Sequence, residues 1–464
     1  MKPIKLGSSF SLVAPVLARD AYAQCRGAEV ITRDVAIVGG GATGTYAAIN
    51  LKDQGKSIIV VEKQGALGGH ASTYHDPTTG TPINYGVQLY HDDQVTRSFF
   101  DLLNITLGGG TFPQGKTTQY IDFRDGSPVL NYSVPPASED YFQALHKYPY
   151  LETGIELPEP VPEELLLTWD EYLEEFNLTD DAIATYSRPA ITGDPTKVLA
   201  LYVFNNMNTD MLEEQIEAKI VINANGDIAE PYTKALAQLG SDVLLNSVVT
   251  GGRRGRKPAD GVKLCVSTPE GNKRIVAKQL VFSAPFVPEN LESFSLDERE
   301  TNVISKFEGG CYYTGVVTNL GLPTNYSYAN RGQKTEYHIA SVPGVVMFNP
   351  TNVDGTYYYW YTSFSDLTKE QVEAETRSTL KLLQKTVAGA DVNAEPRFVA
   401  YKSHTPLHPT TSAEAIRNGV YRDLYALQGY RNTWYTGSIF STGSSALWNL
   451  TSQLLPRIIA ASEQ

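Results

Sequence analysis

Cysteine is scarce: the 464 residues hold only Cys25, Cys265 and Cys311. So few thiols exclude a disulfide framework and leave room for one bridge, with its pairing open. No apolar run approaches the roughly 20 residues that a membrane-crossing helix needs, so no membrane span is expected. Positive charge is outweighed, with 38 Lys and Arg against 51 Asp and Glu, a net charge of −13 and a pI near 5.1. That field repels nucleic acid and anionic membrane, and neither is expected as a partner. A G-x-S-x-G hydrolase elbow is missing. His404 and His408 lie among prolines and so are not a helical pair, and no metal site is expected. There is no internal repeat and no low-complexity tract.

What is present is a chain that is 42% hydrophobic and 19% charged, enough to bury two or three domain-sized cores. Tyrosine is abundant, at 28 residues. Its flat apolar ring and polar tip suit a pocket for a large, partly oxygenated organic molecule, and also suit strand packing. The opening "MKPIKLGSSFSLVAPVLARDAYAQ" has a basic start, a modest apolar stretch and a small-x-small site at Ala21-Tyr22-Ala23. It is the pattern of a secretory signal over residues 1–23, with secretory or extracellular localisation as its consequence. Asn104, Asn131, Asn177, Asn325 and Asn449 each begin an N-x-S/T sequon. The first four are expected to carry N-glycans. Asn449 falls in a segment expected to be buried and is expected to stay bare.

The chemistry begins at "DVAIVGGGATGTYAAINLKDQGKSIIVVEK". A short apolar strand from Asp34 runs into Gly39-Gly40-Gly41-Ala42-Thr43-Gly44, then a helix stopped near Gly55, then a second strand ending in Glu62. This βαβ order around G-x-G-x-x-G is a dinucleotide-binding unit. The glycines permit a tight turn and close approach to a pyrophosphate, and the helix start at Ala42 and Thr43 offers unpaired N–H groups. Glu62, followed by Lys63, is placed to accept from ribose hydroxyls. No second fingerprint stands in a strand–helix frame, so a separate nicotinamide site is not expected. Further along, 135–186 reads as an inserted helical segment, with Thr168 and Glu171 as a capping box and Thr179 as a further cap. The cluster Arg253, Arg254, Arg256 and Lys257 reads as a solvated hairpin tip.

The continuation "EKQGALGGHAST" resembles that of the glutathione-reductase-like flavoproteins that include the amine oxidases. Glu62, Gly68, Gly69 and Thr73 match that pattern, and His70 stands where those proteins have arginine. The resemblance implies FAD, with Gly68, Gly69 and His70 against its diphosphate and ribityl. It further implies adenine contacts from Val249, diphosphate contacts from Gly437 and Ser438, and a helix start at Leu447 and Trp448 near the flavin. The segments "GGHASTYHDPTTGTPINYGVQLYHD", "LVFSAPF", "YYTGVVTNLGLP" and "YRNTWYTGSIFSTGSSALWNL" resemble more closely the β-cyclopiazonate dehydrogenase family of fungal FAD oxidoreductases.

That resemblance implies an α/β fold, with a Rossmann-type FAD-binding domain interleaved with a substrate-binding domain of mixed sheet and helices. The FAD-binding parts are expected at 34–92, 226–290 and 396–464, and the substrate parts at 93–225 and 291–395. It also implies hydride abstraction from a hydrophobic alkaloid or meroterpenoid in secondary metabolism, often with ring closure, and reoxidation by dioxygen. The loop "NYGVQLY" places Tyr85, Val87 and Gln88 near the isoalloxazine. Tyr85, Gln88 and Trp448 are the catalytic candidates, and no base stands out. "YYYWYT", 357–362, offers alternate aromatics to a pocket or to a sheet. A flavin isomerase of polyunsaturated fatty acids, an amine oxidase and a non-catalytic binding protein of the same fold are the alternatives.

Overall fold

The computed structural model describes residues 25–109, 117–182, 197–208, 219–324 and 326–464. The expected signal segment and Asn325 lie outside them.

Two sheets organise the chain. The first has seven strands and is drawn from three separated stretches of sequence. Its centre is Glu29–Val38, which pairs in parallel with Ile58–Val61 on one side and Gly271–Phe282 on the other. Val243–Leu244 adds in parallel beyond Ile58–Val61. The long strand Gly271–Phe282 divides its outer edge. Its first part takes the antiparallel strand Val262–Thr268, and its last three residues take Thr433–Tyr435 in parallel. Val248–Arg254 closes the hairpin side. Val35, Ala36, Ile37, Ile59 and Val60 are fully buried, as strands covered on both faces require. The first strand begins at Glu29 rather than at Asp34; its opening half, with Val30 and Ile31 between charged residues, is largely exposed and lacks the buried apolar run that marks the rest. Cys25 and Cys265 form a disulfide with Cα atoms 5.8 Å apart, fastening the entry of this strand to the hairpin.

The second sheet has eight strands. Glu308–Thr318 and Thr356–Ser363 are central, and both pair antiparallel through long registers. Strand alternation sorts the aromatic run cleanly. Tyr357, Tyr359 and Tyr361 pack with Val372, Leu380 and Leu383 of the covering helix Lys369–Thr386. Tyr358 and Trp360 face the other way, against Tyr85, Ile83 and Val316. The expected boundary at 396 is corrected here. Arg397–Ser403 and Leu407–Thr410 pair with Glu308–Thr318 and so belong to the second sheet. Arg397–Ser403 is half-buried along most of its length, so its sequence lacks the alternation that would have placed it.

The helical segment contains Glu139–Leu145, Trp169–Glu175 and Ala200–Asn206, packed through Tyr141, Trp169, Tyr172 and Phe204. The Thr168–Glu171 capping box is formed. Thr179 is the first residue of a 3₁₀ turn rather than its cap. No described helix is long and apolar enough to cross a membrane.

The basic cluster is also corrected. Arg253, Arg256 and Lys257 are exposed, but Arg254 is buried. Its guanidinium donates to both oxygens of the fully buried Glu300, to Tyr435 Oη and to the Phe294 carbonyl. Arg431 adds a second cation to Glu300 at 2.7 Å. Four consecutive-looking charges therefore split, because strand alternation turns one of them inward.

Candidate functional site

The parallel strands of the first sheet end at Val38, Val61, Leu244, Phe282 and Tyr435, all on one edge. The residues that follow each of them line a single cleft: Gly39 and Gly41, Glu62 and Lys63, Ser247 and Val249, Ser283 and Ala284, and Gly437 and Ser438. A ligand crevice at the carboxyl edge of such a sheet is the rule for doubly wound folds.

The fingerprint glycines do different work. Gly39 has φ of +99°, and a methyl group on it would stand 2.8 Å from Ala284 N. A methyl on Gly44 would strike the Gly39 carbonyl oxygen, so Gly44 closes the turn and does not line the cleft. Gly41 opens onto the cleft, and its nearest neighbour would be Gly69 Cα at 3.8 Å. Helix Ala42–Asp53 starts there with no side-chain cap and no acidic residue in its first turn. Its free N–H groups and positive dipole end are available to an anion. The buried Glu62 accepts from Gly40 N–H at 2.6 Å and from Gln64 N–H at 2.7 Å. A carboxylate has about four acceptor sites, which leaves capacity for ribose hydroxyls.

Gly68 and Gly69 take φ of +118° and +56°, and Gly68 N–H donates to the Gly40 carbonyl at 2.8 Å. The two glycine turns therefore run back to back, with Gly69 against Gly41. The His70 carbonyl accepts from Val87 N–H at 3.0 Å, and Ser72 from Tyr85 N–H at 3.0 Å. Gly86 carries no side chain because one would strike the His70 carbonyl. This ladder brings Val87 to the cleft wall beside His70. The cleft thus fits FAD on its own terms: a glycine cradle, unpaired helix N–H groups and a ribose-type carboxylate.

Not every expected residue reaches the cleft. Leu447 and Ser444, at the start of helix Ser444–Ser462, line it. Trp448 does not. It is fully buried among Tyr46, Tyr90, Phe99 and Phe100, and its Nε1–H donates to the Ala42 carbonyl at 3.1 Å. Trp448 therefore docks the last helix on the fingerprint helix and is a packing residue. Tyr85 is buried against Tyr358, and its carbonyl accepts from Thr314 Oγ1. Gln88 also stands back from the cleft, with a buried Nε2 that has no hydrogen-bond partner. Lys402, Thr405 and Leu407 line the cleft and were not anticipated. They arrive from the second sheet, and nothing local in "YKSHTPLHPT" marks a strand end turned toward a nucleotide site.

The family described as NAD(P)-binding Rossmann-like domain matches residues 37–104. The FAD-dependent oxidoreductase dbaF of Emericella nidulans is 47% identical over 456 residues, covering 98% of this chain and 97% of that protein. Beta-cyclopiazonate dehydrogenase of Aspergillus flavus is 30% identical over 443 residues, covering 93% and 94%. The chain belongs to the fungal FAD-dependent oxidoreductases. Among solved structures, a CLA-producing fatty acid isomerase from P. acnes superposes with a TM-score of 0.70 at 19% identity, covering 92% of this chain and 98% of that one, a likeness of fold.

In this fungal oxidoreductase the usual arginine is replaced by a half-buried, uncharged ring. His70 stacks on His404 with centroids 4.3 Å apart. Burial, and then the charges of Lys402 and Lys63, push the His70 pKa down to about 4. His404 is pushed well down by burial, then by His70 and Lys402. Positive charge at this wall comes instead from Lys63 and Lys402. A histidine gives up the bidentate fork of arginine but keeps an N–H donor and a flat surface. His70→Ala is expected to lower flavin content by about tenfold, or about 1.4 kcal/mol, with the thermal unfolding temperature little changed. Flavin-to-protein absorbance after gel filtration measures it, and native-like content would remove His70 from the cofactor contacts.

His408, buried like His404, is brought down to about 4 by burial, and neither ring nitrogen has a hydrogen-bond partner. Between about pH 6.5 and 4 the unfolded chain takes up protons on these rings while the folded chain does not. Stability is therefore full above about 6.5 and falls as the pH drops toward 4. Each ring contributes up to about 1.4 kcal/mol per pH unit in that window. His408→Asn, which tolerates the native φ of +38°, should flatten the slope of unfolding temperature against pH. An unchanged slope would mean that His408 is already charged in the folded state.

Proposed function

We propose that this FAD-dependent oxidoreductase removes hydride from an activated C–H of a hydrophobic fungal metabolite, an alkaloid or meroterpenoid. Ring closure follows in the same site, and dioxygen is the final electron acceptor. The observation that carries this reading is the single fingerprint in the sequence, Gly39 to Gly44, already committed to the one FAD cleft. With no second nucleotide frame, the organic substrate itself is the source of electrons.

When bound, the flavin supplies a two-electron acceptor. Ala42 and Thr43 N–H groups would hold its diphosphate, Glu62 would hold its ribose, and the starts of two helices would set a positive field along it. Ser444 and Leu447 carry the second helix start to the cleft. Ala71, Val87 and Leu407 line the cleft and form the apolar wall proposed for the substrate side. Such a wall excludes water, so that a cation formed by hydride loss meets an internal nucleophile first.

The test is anaerobic mixing of the purified, flavin-loaded protein with candidate alkaloids and meroterpenoids. The band near ~450 nm should bleach with the true substrate and return with air, with a product two hydrogens lighter. Sustained turnover without oxygen, giving a product of unchanged mass, would establish the isomerase reading instead.

A further inference from the structure

The fold treats the described N-x-S/T sequons in two ways. Asn104, Asn131 and Asn177 are exposed, and so are the hydroxyl residues Thr106, Ser133 and Thr179. The three asparagines have φ of 52°, 57° and 57°. Asn104 follows helix Gln94–Leu102, and Asn177 follows helix Trp169–Glu175. Asn449 differs in every respect. It lies inside helix Ser444–Ser462, and its Nδ2 donates to Asp93 Oδ2 and to the Ser445 carbonyl, each at 3.1 Å. Its partner Thr451 is fully buried and hydrogen-bonds Thr436 Oγ1 at 2.8 Å.

Left-handed backbone favours asparagine after glycine, which alone accounts for an asparagine at each turn. The left-handed asparagines Asn246, Asn319 and Asn432 have no hydroxyl residue two places later, so this backbone does not itself require one. Two further observations do not depend on the sequons. Leu130 and Val134, beside Asn131, are 75% and 37% exposed, an apolar surface that a glycan there would cover. The Cys25–Cys265 bridge joins residues 240 apart, and such structural disulfides persist in oxidising compartments. N-linked glycans are added along that same route.

We propose that this chain matures in the oxidising secretory lumen and carries N-linked glycans on Asn104, Asn131 and Asn177, with Asn449 bare. The donor is a lipid-linked oligosaccharide diphosphate. Its C1–O bond to phosphate breaks, a C1–N bond to asparagine Nδ2 forms, Nδ2 loses one proton and the lipid diphosphate leaves. No electrons are exchanged. None of the three asparagines lines the FAD cleft, so the glycans are independent of the oxidation chemistry.

The test is secretion of the full chain from a yeast, digestion with peptide-N-glycosidase, and peptide mass spectrometry. Released asparagines become aspartates. Conversion is expected at Asn104, Asn131 and Asn177, none at Asn449, and a Cys25–Cys265 linked peptide before reduction. Thr106→Ala, Ser133→Ala and Thr179→Ala should each remove one glycan while keeping the left-handed asparagine and the bound flavin. Secreted, bridged protein with all three asparagines unmodified would overturn the proposal, as would conversion of Asn449 in flavin-loaded protein. A chain retained in the cytosol with free Cys25 and Cys265 would overturn it as well.

Discussion

Gly41→Val is expected to purify as a folded, colourless protein without activity, whereas Gly44→Val should not accumulate as folded protein. The two glycines sit in one turn, yet their surroundings are opposite. Gly41 has φ of −72°, which any residue can adopt, and open space beyond its Cα as far as Gly69. A valine there costs the fold little and fills the place of the diphosphate. Flavin content should fall at least tenfold, equivalent to at least about 1.4 kcal/mol of binding. Gly44 has no such space, because its side chain would meet the Gly39 carbonyl. Absorbance at the flavin band and circular dichroism separate the outcomes. A yellow Gly41→Val protein would move the diphosphate away from this turn.

Glu300→Ala should destabilise the protein by about 3–5 kcal/mol, read as a shift of the urea midpoint. The carboxylate is fully buried and pairs with both Arg254 and Arg431. It also completes a capping box with Asp297 at the start of helix Glu298–Ile304. Its removal leaves two guanidinium groups facing one another without a counter-charge, a cost well above that of losing a solvated pair. Replacing Glu300 and Arg254 together with Leu and Met should recover part of the loss, because only Arg431 is then left without its counter-charge. A change below about 0.5 kcal/mol for Glu300→Ala would mean that water reaches the cage. Tyr435 Oη also donates to Glu300 and stands two residues before Gly437, so cofactor retention should weaken with stability.

The nucleotide-binding half was legible because its signals are constraints on backbone. Gly39, Gly41 and Gly44 are spaced by the geometry of one turn, and Glu62 ends a strand whose neighbours are all apolar. Gly68, Gly69 and Val249 were reached through the resemblance to a flavoprotein pattern. What stayed hidden were choices made by distant packing. Nothing near Arg254 says that it, rather than Arg253, turns toward Glu300. Nothing in "YYYWYT" says which aromatics meet the helix until the strand's face is known. Trp448 sits in a motif that resembles a flavin contact, yet four aromatic rings from two other helices and a strand hold it in the core. Lys402 and Thr405 enter the cleft only because the second sheet ends there.

The cleft is assembled from chain ends that are far apart in sequence, from Gly39 through Ser247 and Ser283 to Leu447. A dinucleotide lying across them acts as a non-covalent crosslink over nearly the whole polypeptide, made only once every segment is in place. Ligand at a thousand times its dissociation constant adds about 4 kcal/mol to a fold that alone binds it. Loss of cofactor should therefore register first as proteolytic sensitivity.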